Sequence, residues 1–533
     1  MIAHLLIAFT LAFGQSPPSS NKPWKPTIKV RTGLPTAKTW DDDKAAHLLR
    51  RAGFGGTPEQ INLLAGMSRE QAVEYLICFD QIAETPLPID IDYQRLPRGG
   101  PKGGENDPTF QQRLAQRMRS DQAQMGKVIN WWIETMTVSP RPLQEKLVLF
   151  WHGHFTSGFR EVKSSRAMYE QNQLFRSSAT GNFRELVLAV THDPAMILYL
   201  NSQQNRRGKP NENYARELME LFTLGTGHYT EQDIKESARA LTGISLDMET
   251  GEYTFRRRMH DDGVKTFMGR TGNFKDEDII DIILAQPAAA EHLARRLWTF
   301  FAYEDPEPKI VKAIAQVLRD SKYELKPALK AMFMCDAFYS EKARFTRIKS
   351  PVELVIGTLR MLETPAADTE AMNVAMRAMG QQIFQPPSVK GWDGGPSWIT
   401  TSTLYNRYNT ICRLIDGTDN DQTRRQRRMM RERLIDSFGK EGEMMAGAGE
   451  GQLQPAYDPM VVVRANHLVT VEQIVDAFLQ RLLQRPLASD RRAVLIETFK
   501  DDWKRGKGDD ETKAAAIRGL IKLIVSMPEY QLS

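Results

Sequence analysis

Thr230-Glu231-Gln232-Asp233-Ile234-Lys235-Glu236-Ser237-Ala238-Arg239-Ala240-Leu241-Thr242-Gly243 is the stretch on which the fold class turns. A Thr followed three residues later by a carboxylate forms a capping box, in which each side chain satisfies an amide that the first helical turn leaves without a partner. Gly243 offers the left-handed stop at the other end, so a helix is predicted between them. The same chemistry recurs next door: Asn211 reads as the N-cap of a helix over Glu212 to Leu224, with Gly225 behind it as C-cap. Further out, apolar residues keep helical spacing at Ala45, Leu48 and Leu49 and at Leu143, Leu147 and Phe150, while continuous strand-like runs are scarce. One exception lies between Ser245 and Arg256, where Asp247-Met248-Glu249-Thr250-Gly251 reads as a turn between alternating residues and predicts one small β-hairpin. The expected fold is mainly α: a large multi-helix domain with that hairpin and a C-terminal helical unit.

A chain of 533 residues exceeds the size at which one core usually stops growing. Hydrophobic residues at 41% and charged residues at 26% place it among folded globular chains and exclude wholesale disorder. The composition divides it into a signal peptide over 1–14, an extended Pro-, Ser- and Lys-rich leader over 15–38, and a main helical domain over 39–418. A basic and Gly-rich linker over 419–459 follows. Residues 460–533 then return to helical periodicity in Ile474, Phe478 and Leu482 and in Ile517, Leu520, Ile521 and Ile524.

Ile2 to Phe13 is too short for a membrane span but has the length of a secretory h-region, and Ala12-Phe13-Gly14 supplies small residues where a signal peptidase reads. Export by a Sec-type signal, with cleavage before Gln15, is the expectation, although no Lys or Arg precedes the apolar run. No Cys follows the cleavage site to accept lipid, and no later stretch reaches a spanning length. The 71 Lys and Arg against 66 Asp and Glu leave a formal charge of +5, which gives no reason to expect a nucleic-acid partner. The densest basic run, Thr423 to Arg433, can face phosphate or an anionic surface, or simply solvent. Cys78, Cys335 and Cys412 are far apart in apolar segments and read as buried free thiols.

Three clusters can carry chemistry. In Asn211-Glu212-Asn213-Tyr214-Ala215-Arg216-Glu217-Leu218-Met219-Glu220, helical spacing puts Glu217 and Glu220 one turn apart beside Arg216. Such a pair can bind a divalent cation or divide acid and base roles, with Arg216 alongside as a catalytic candidate; the alternative is an ion-pair ladder centred on Arg216. In Glu145 to Phe155, Glu145 and His152 lie two turns apart on one face, and Gly153 is expected to break the helix so that His152 and His154 converge on a metal. The alternative is a pair of core histidines with satisfied nitrogens. In His260-Asp261-Asp262-Gly263, an imidazole and carboxylates in a polar turn can complete a mixed nitrogen and oxygen shell, though an Asx turn uses the same residues. Trp392 and Trp398 add flat apolar faces for ligand contact, or else pin a packed loop. There is no Walker loop, dinucleotide fingerprint, His-Glu-x-x-His or nucleophile elbow.

His47-Leu48-Leu49-Arg50-Arg51-Ala52-Gly53-Phe54-Gly55, Phe150-Trp151-His152-Gly153-His154-Phe155, the Asn211 to Gly227 segment with Tyr229-Thr230-Glu231, and Gly380-Gln381 through Pro386-Pro387-Ser388-Val389-Lys390-Gly391-Trp392-Asp393-Gly394-Gly395 occur in this order. In combination they resemble a bacterial family catalogued as domain of unknown function 1800, from about His47 to the Pro528-Glu529-Tyr530-Gln531 end. The resemblance implies an exported bacterial protein, often encoded beside a sulfatase-like family called domain of unknown function 1501, and brings no established catalytic residues. The expectation taken forward is an exported metal-dependent enzyme holding zinc, manganese or iron. His152, His154, Glu217 and Glu220 would surround the cation, and His260 or Asp261 would complete the shell. Hydrolysis by a metal-activated water is favoured over oxidative chemistry. The alternative is a non-catalytic envelope scaffold or partner of the sulfatase-like protein.

Overall fold

The structure, a computed structural model, describes residues 25–36, 39–91, 108–247, 250–418, 454–505 and 509–533, with residues 428, 429, 432, 433 and 436. The signal peptide, the first part of the leader, most of the basic run and the Gly-rich part of the linker lie outside the described residues, as do Met248 and Glu249 of the hairpin turn.

Among the described residues 22 α-helices surround one continuous apolar core running from Ala45 to Tyr530. The capping box is formed: Thr230 Oγ1 accepts from the Asp233 amide at 3.1 Å, and the Asp233 carboxylate accepts from the Thr230 amide at 2.9 Å. The helix runs Glu231–Ala240, and Gly243 takes φ +92° three residues on. The hairpin pairs Ile244–Leu246 with Tyr253–Phe255, and a second, unanticipated one pairs Lys265–Phe267 with Arg270–Gly272. None of the helices among the described residues is long and apolar enough to cross a membrane.

Helix Pro142–His154 is central, with Leu143 to His152 buried on every side. It does not break at Gly153. The missing Cβ serves another purpose there: the Trp392 ring packs on Gly153, and Gly391, at φ +82°, comes so close that a Cβ on it would sit 2.4 Å from the Gly153 carbonyl oxygen. Helix Pro351–Leu362 is buried along its whole length, the mark of an interior helix. Of the C-terminal helices, Val471–Leu482 packs on it and Asp510–Val525 on Thr401–Asp416, while Ser489–Arg505 packs on those two. They are also tied to the N-terminal motif, because Gln484 bonds both Arg50 and the Gly56 carbonyl, and Arg51 donates to Ser533 Oγ.

Residues 25–35 form no helix or strand and are anchored: the Thr27 and Ile28 amides donate to the buried Glu74 carboxylate, which also pairs with Lys330. Cys78 and Cys335 are buried free thiols, and Cys412 is a half-buried one.

Candidate ligand cleft

The segment Asn211 to Gly225 is not one α-helix. Asn213–Glu217 is α-helical, and Leu218–Thr223 widens into a π-helical turn closed by the Leu224 and Gly225 amides, which both donate to the Met219 carbonyl. A π turn shifts carbonyls off the regular ladder, and here two consecutive ones accept from imidazoles. His292 Nε2–H donates to the Leu221 carbonyl at 2.9 Å and His154 Nε2–H to the Phe222 carbonyl at 3.0 Å. The two rings stand 6.3 Å apart. With its Nε2 bonded in this way, buried His154 has Nδ1 without a partner. Burial, and with it the Arg296 charge, lowers both imidazoles, His292 to about 4 and His154, on which His292 also acts, well below its ordinary value.

These rings face a chamber of about 220 Å³ walled also by Arg296, Lys390, Trp392 and Asp393. Behind Trp392 a second chamber of about 130 Å³ runs past Gly153, Thr299, Glu304, Gln381 and Trp398 to Arg347 and Glu353. Arg296, Trp392 and Asp393 belong to both, so the two form one cleft divided by the Trp392 ring. Arg296 makes no hydrogen bond or ion pair among the described residues, and its Nε and the indole Nε1 of Trp392 are fully buried without partners. Glu353 is ion-paired with Lys146 inside the core and Arg347 donates to the Thr299 and Phe300 carbonyls, whereas Glu304, Lys390 and Asp393 line the cleft without an ion pair among the described residues. The residues walling the cleft therefore carry two orphan donors, one of them on the unpaired Arg296 guanidinium, and one orphan acceptor, a set that costs free energy until a ligand meets it.

The residues expected from sequence divide between this cleft and other duties. His154, Trp392 and Trp398 line it, while His152 lies behind Trp392, with ring centres 5.5 Å apart, and its Nε2 accepts from the Phe384 amide at 3.0 Å. Glu145 faces Arg176 and the Trp132 indole rather than His152. Arg216 forms the expected ion-pair ladder, bidentate to Glu231 at 2.9 Å and 3.6 Å from Glu212. Glu217 and Glu220 stay neighbours but line neither chamber. Burial, and next Glu220, raise the Glu217 carboxyl, while Arg216 and the cleft residue Lys390 pull it down. Glu220 accepts from Tyr229 at 2.8 Å. His260 donates Nδ1–H to the Thr242 carbonyl, and Asp261 joins Arg239 and closes an Asx turn onto the Gly263 amide. Neither lines the cleft. The six expected ligands thus do not form one shell, and among the described residues no three His, Cys, Asp or Glu are placed to hold a metal ion. His292 and Arg296 were missed; their only sequence signal is i, i+4 spacing in Glu291-His292-Leu293-Ala294-Arg295-Arg296, which any amphipathic helix shows.

Fold and cleft together define a mainly α-helical protein with a tryptophan-divided cleft between its central helix and a Gly-rich loop. The chain belongs to the family described as Protein of unknown function (DUF1800), which matches residues 47–532. No curated protein and no solved structure matches it.

Proposed function

We propose that the protein is an exported bacterial protein whose Trp392 cleft binds a small organic molecule through an anionic oxygen group, carboxylate or phosphate. One observation carries the reading: His154 Nδ1, Arg296 Nε and Trp392 Nε1, all buried and without partners, belong to the walls of one cleft. An unpaired guanidinium with a neighbouring N–H donor suits an oxyanion, which takes several hydrogen bonds at once. Trp392 supplies an apolar face for the rest of the molecule. The test is a thermal-shift and calorimetric titration with small mono- and dicarboxylates and phosphate esters, on wild type and Arg296→Met. At least one compound should bind the wild type, with affinity falling tenfold or more in the variant. Equal binding to both proteins, or no binding to either, would sink the proposal.

A metal-dependent hydrolase remains the second reading, now narrowed to His154 and His292. Imidazoles whose Nε2–H is held by a carbonyl present Nδ1 in the orientation metal ligands use, whereas the Arg296 charge beside them favours an anion over a cation. Elemental analysis of the purified protein against His292→Ala decides this reading.

A further inference from the structure

The cleft carries charge of both signs, unevenly divided between its chambers. Lys390 walls only the chamber that holds His154 and His292, Glu304 walls only the other, and Arg296 and Asp393 belong to both. Two further charges line the Glu304 chamber but are already committed. Glu353 pairs with Lys146, and Arg347 is held by the Thr299 and Phe300 carbonyls while its charge acts on Glu353. Two cations, Arg296 and Lys390, and two carboxylates, Glu304 and Asp393, are left without an ion pair among the described residues. Of these, Lys390 also acts on Glu217 outside the cleft, so the cation that serves the cleft alone is Arg296.

Glu304 follows the end of helix Pro287–Phe301, which carries His292 and Arg296. Gly395, at φ +54°, makes room for it: a Cβ there would stand 2.6 Å from Glu304 Oε1. Trp392 and the buried Trp398 complete the wall of this chamber. A carboxylate beside indole rings suits an ammonium, which donates to the one and is drawn to the π-face of the other. In the opposite chamber Arg296 and Lys390 suit an oxyanion. The Trp392 ring stands between the two. A molecule with both charges on a single carbon therefore cannot place one in each chamber, whereas a short apolar chain running past the ring can.

We propose that the ligand of the cleft is an ω-amino oxyanion. Its carboxylate or phosphate is held by Arg296 and Lys390 in the His154 chamber, its ammonium by Glu304 beside Trp392 and Trp398 in the other, and its methylenes pass the Trp392 ring. This rests on the reading of the cleft as an oxyanion site and adds a second charge, opposite in sign and set at a distance.

The test is calorimetric titration of the full chain, at low ionic strength, with hexanoate, ε-aminohexanoate and α-aminohexanoate, and with hexyl phosphate and ω-aminohexyl phosphate. In at least one pair the ω-amino compound should bind the wild type about fivefold or more tightly than its amine-free partner, and the α-amino isomer should gain nothing. Glu304→Gln should abolish that preference while the amine-free compound still binds; Glu304 is exposed, so the variant keeps its fold. Arg296→Met should weaken both members of the pair. Equal affinity for the two members in the wild type, a preference that survives in Glu304→Gln, or an α-amino isomer bound as tightly as the ω isomer would each overturn the proposal and leave the oxyanion site standing. Failure of every compound to bind would remove the oxyanion site and this proposal together.

Discussion

His154 and His292 hang from consecutive carbonyls of a single π-helical turn, so the geometry of that turn fixes the direction in which both rings face the cleft. Replacing His154 by Phe removes the donor to the Phe222 carbonyl without emptying the core. An unsatisfied buried carbonyl costs about 1–3 kcal/mol. Urea unfolding should show that loss, and oxyanion binding in the cleft should weaken with it; an unchanged midpoint would mean that the turn does not depend on the imidazole.

Four histidines held down by burial predict acid sensitivity. Burial holds His47 and His154 well below their ordinary range, His152 at about 3 and His292 at about 4. Between those values and 6.5 the unfolded chain binds protons that the folded chain refuses, so stability is fully present above pH 6.5 and falls as pH drops. Each imidazole should remove about 2 kcal/mol between pH 6.5 and pH 5. Denaturant midpoints against pH for wild type and His152→Gln measure one such contribution, and the variant's curve should be flatter.

Asp193 has the opposite sign. It is buried, caps Pro194–Tyr199 through the Met196 amide, accepts from Gln171, and is pushed up to about 7 chiefly by desolvation. The folded state holds a proton that the unfolded state releases above about pH 4, so this residue lowers stability as pH rises to 7, by up to about 1.4 kcal/mol per pH unit. Asp193→Asn keeps the cap oxygen and should stabilise the protein at pH 8 relative to pH 4. A wild-type-like pH profile in the variant would contradict the assignment.

Lys146 and Glu353 form a buried ion pair beside the cleft. Lys146→Met leaves a carboxylate among apolar groups and should cost about 3–5 kcal/mol, while the double variant with Glu353→Gln should recover part of it. A double-mutant cycle by chemical denaturation reads the coupling, which should be well above the few tenths expected of an exposed pair.

Gly391→Ala tests the seam between the central helix and the loop. Its Cβ would sit 2.4 Å from the Gly153 carbonyl oxygen on a backbone at φ +82°. Strain and displacement together should cost about 1–3 kcal/mol and move Trp392, read as reduced stability and altered indole fluorescence.

What the sequence could show follows from range. A capping box acts within four residues, so Thr230 and Asp233 announced a helix start that the structure contains. Gly153 was misread because glycine writes the same letter for a helix break and for a close approach, and its partner Gly391 lies in a distant loop. The π turn at Leu218 escaped for a related reason: α and π turns share one apolar pattern and differ only in which amide reaches which carbonyl.

The sequence by itself determined the helical class, the helix starts and the family, since these depend on local spacing and ordered motifs. Tertiary structure alone decided which polar groups are satisfied. His152 is met by an amide 232 residues away and His154 by a backbone carbonyl, partners present at every residue and so carrying no signature. Only once those bonds are assigned does Arg296 emerge as the guanidinium left open in the cleft.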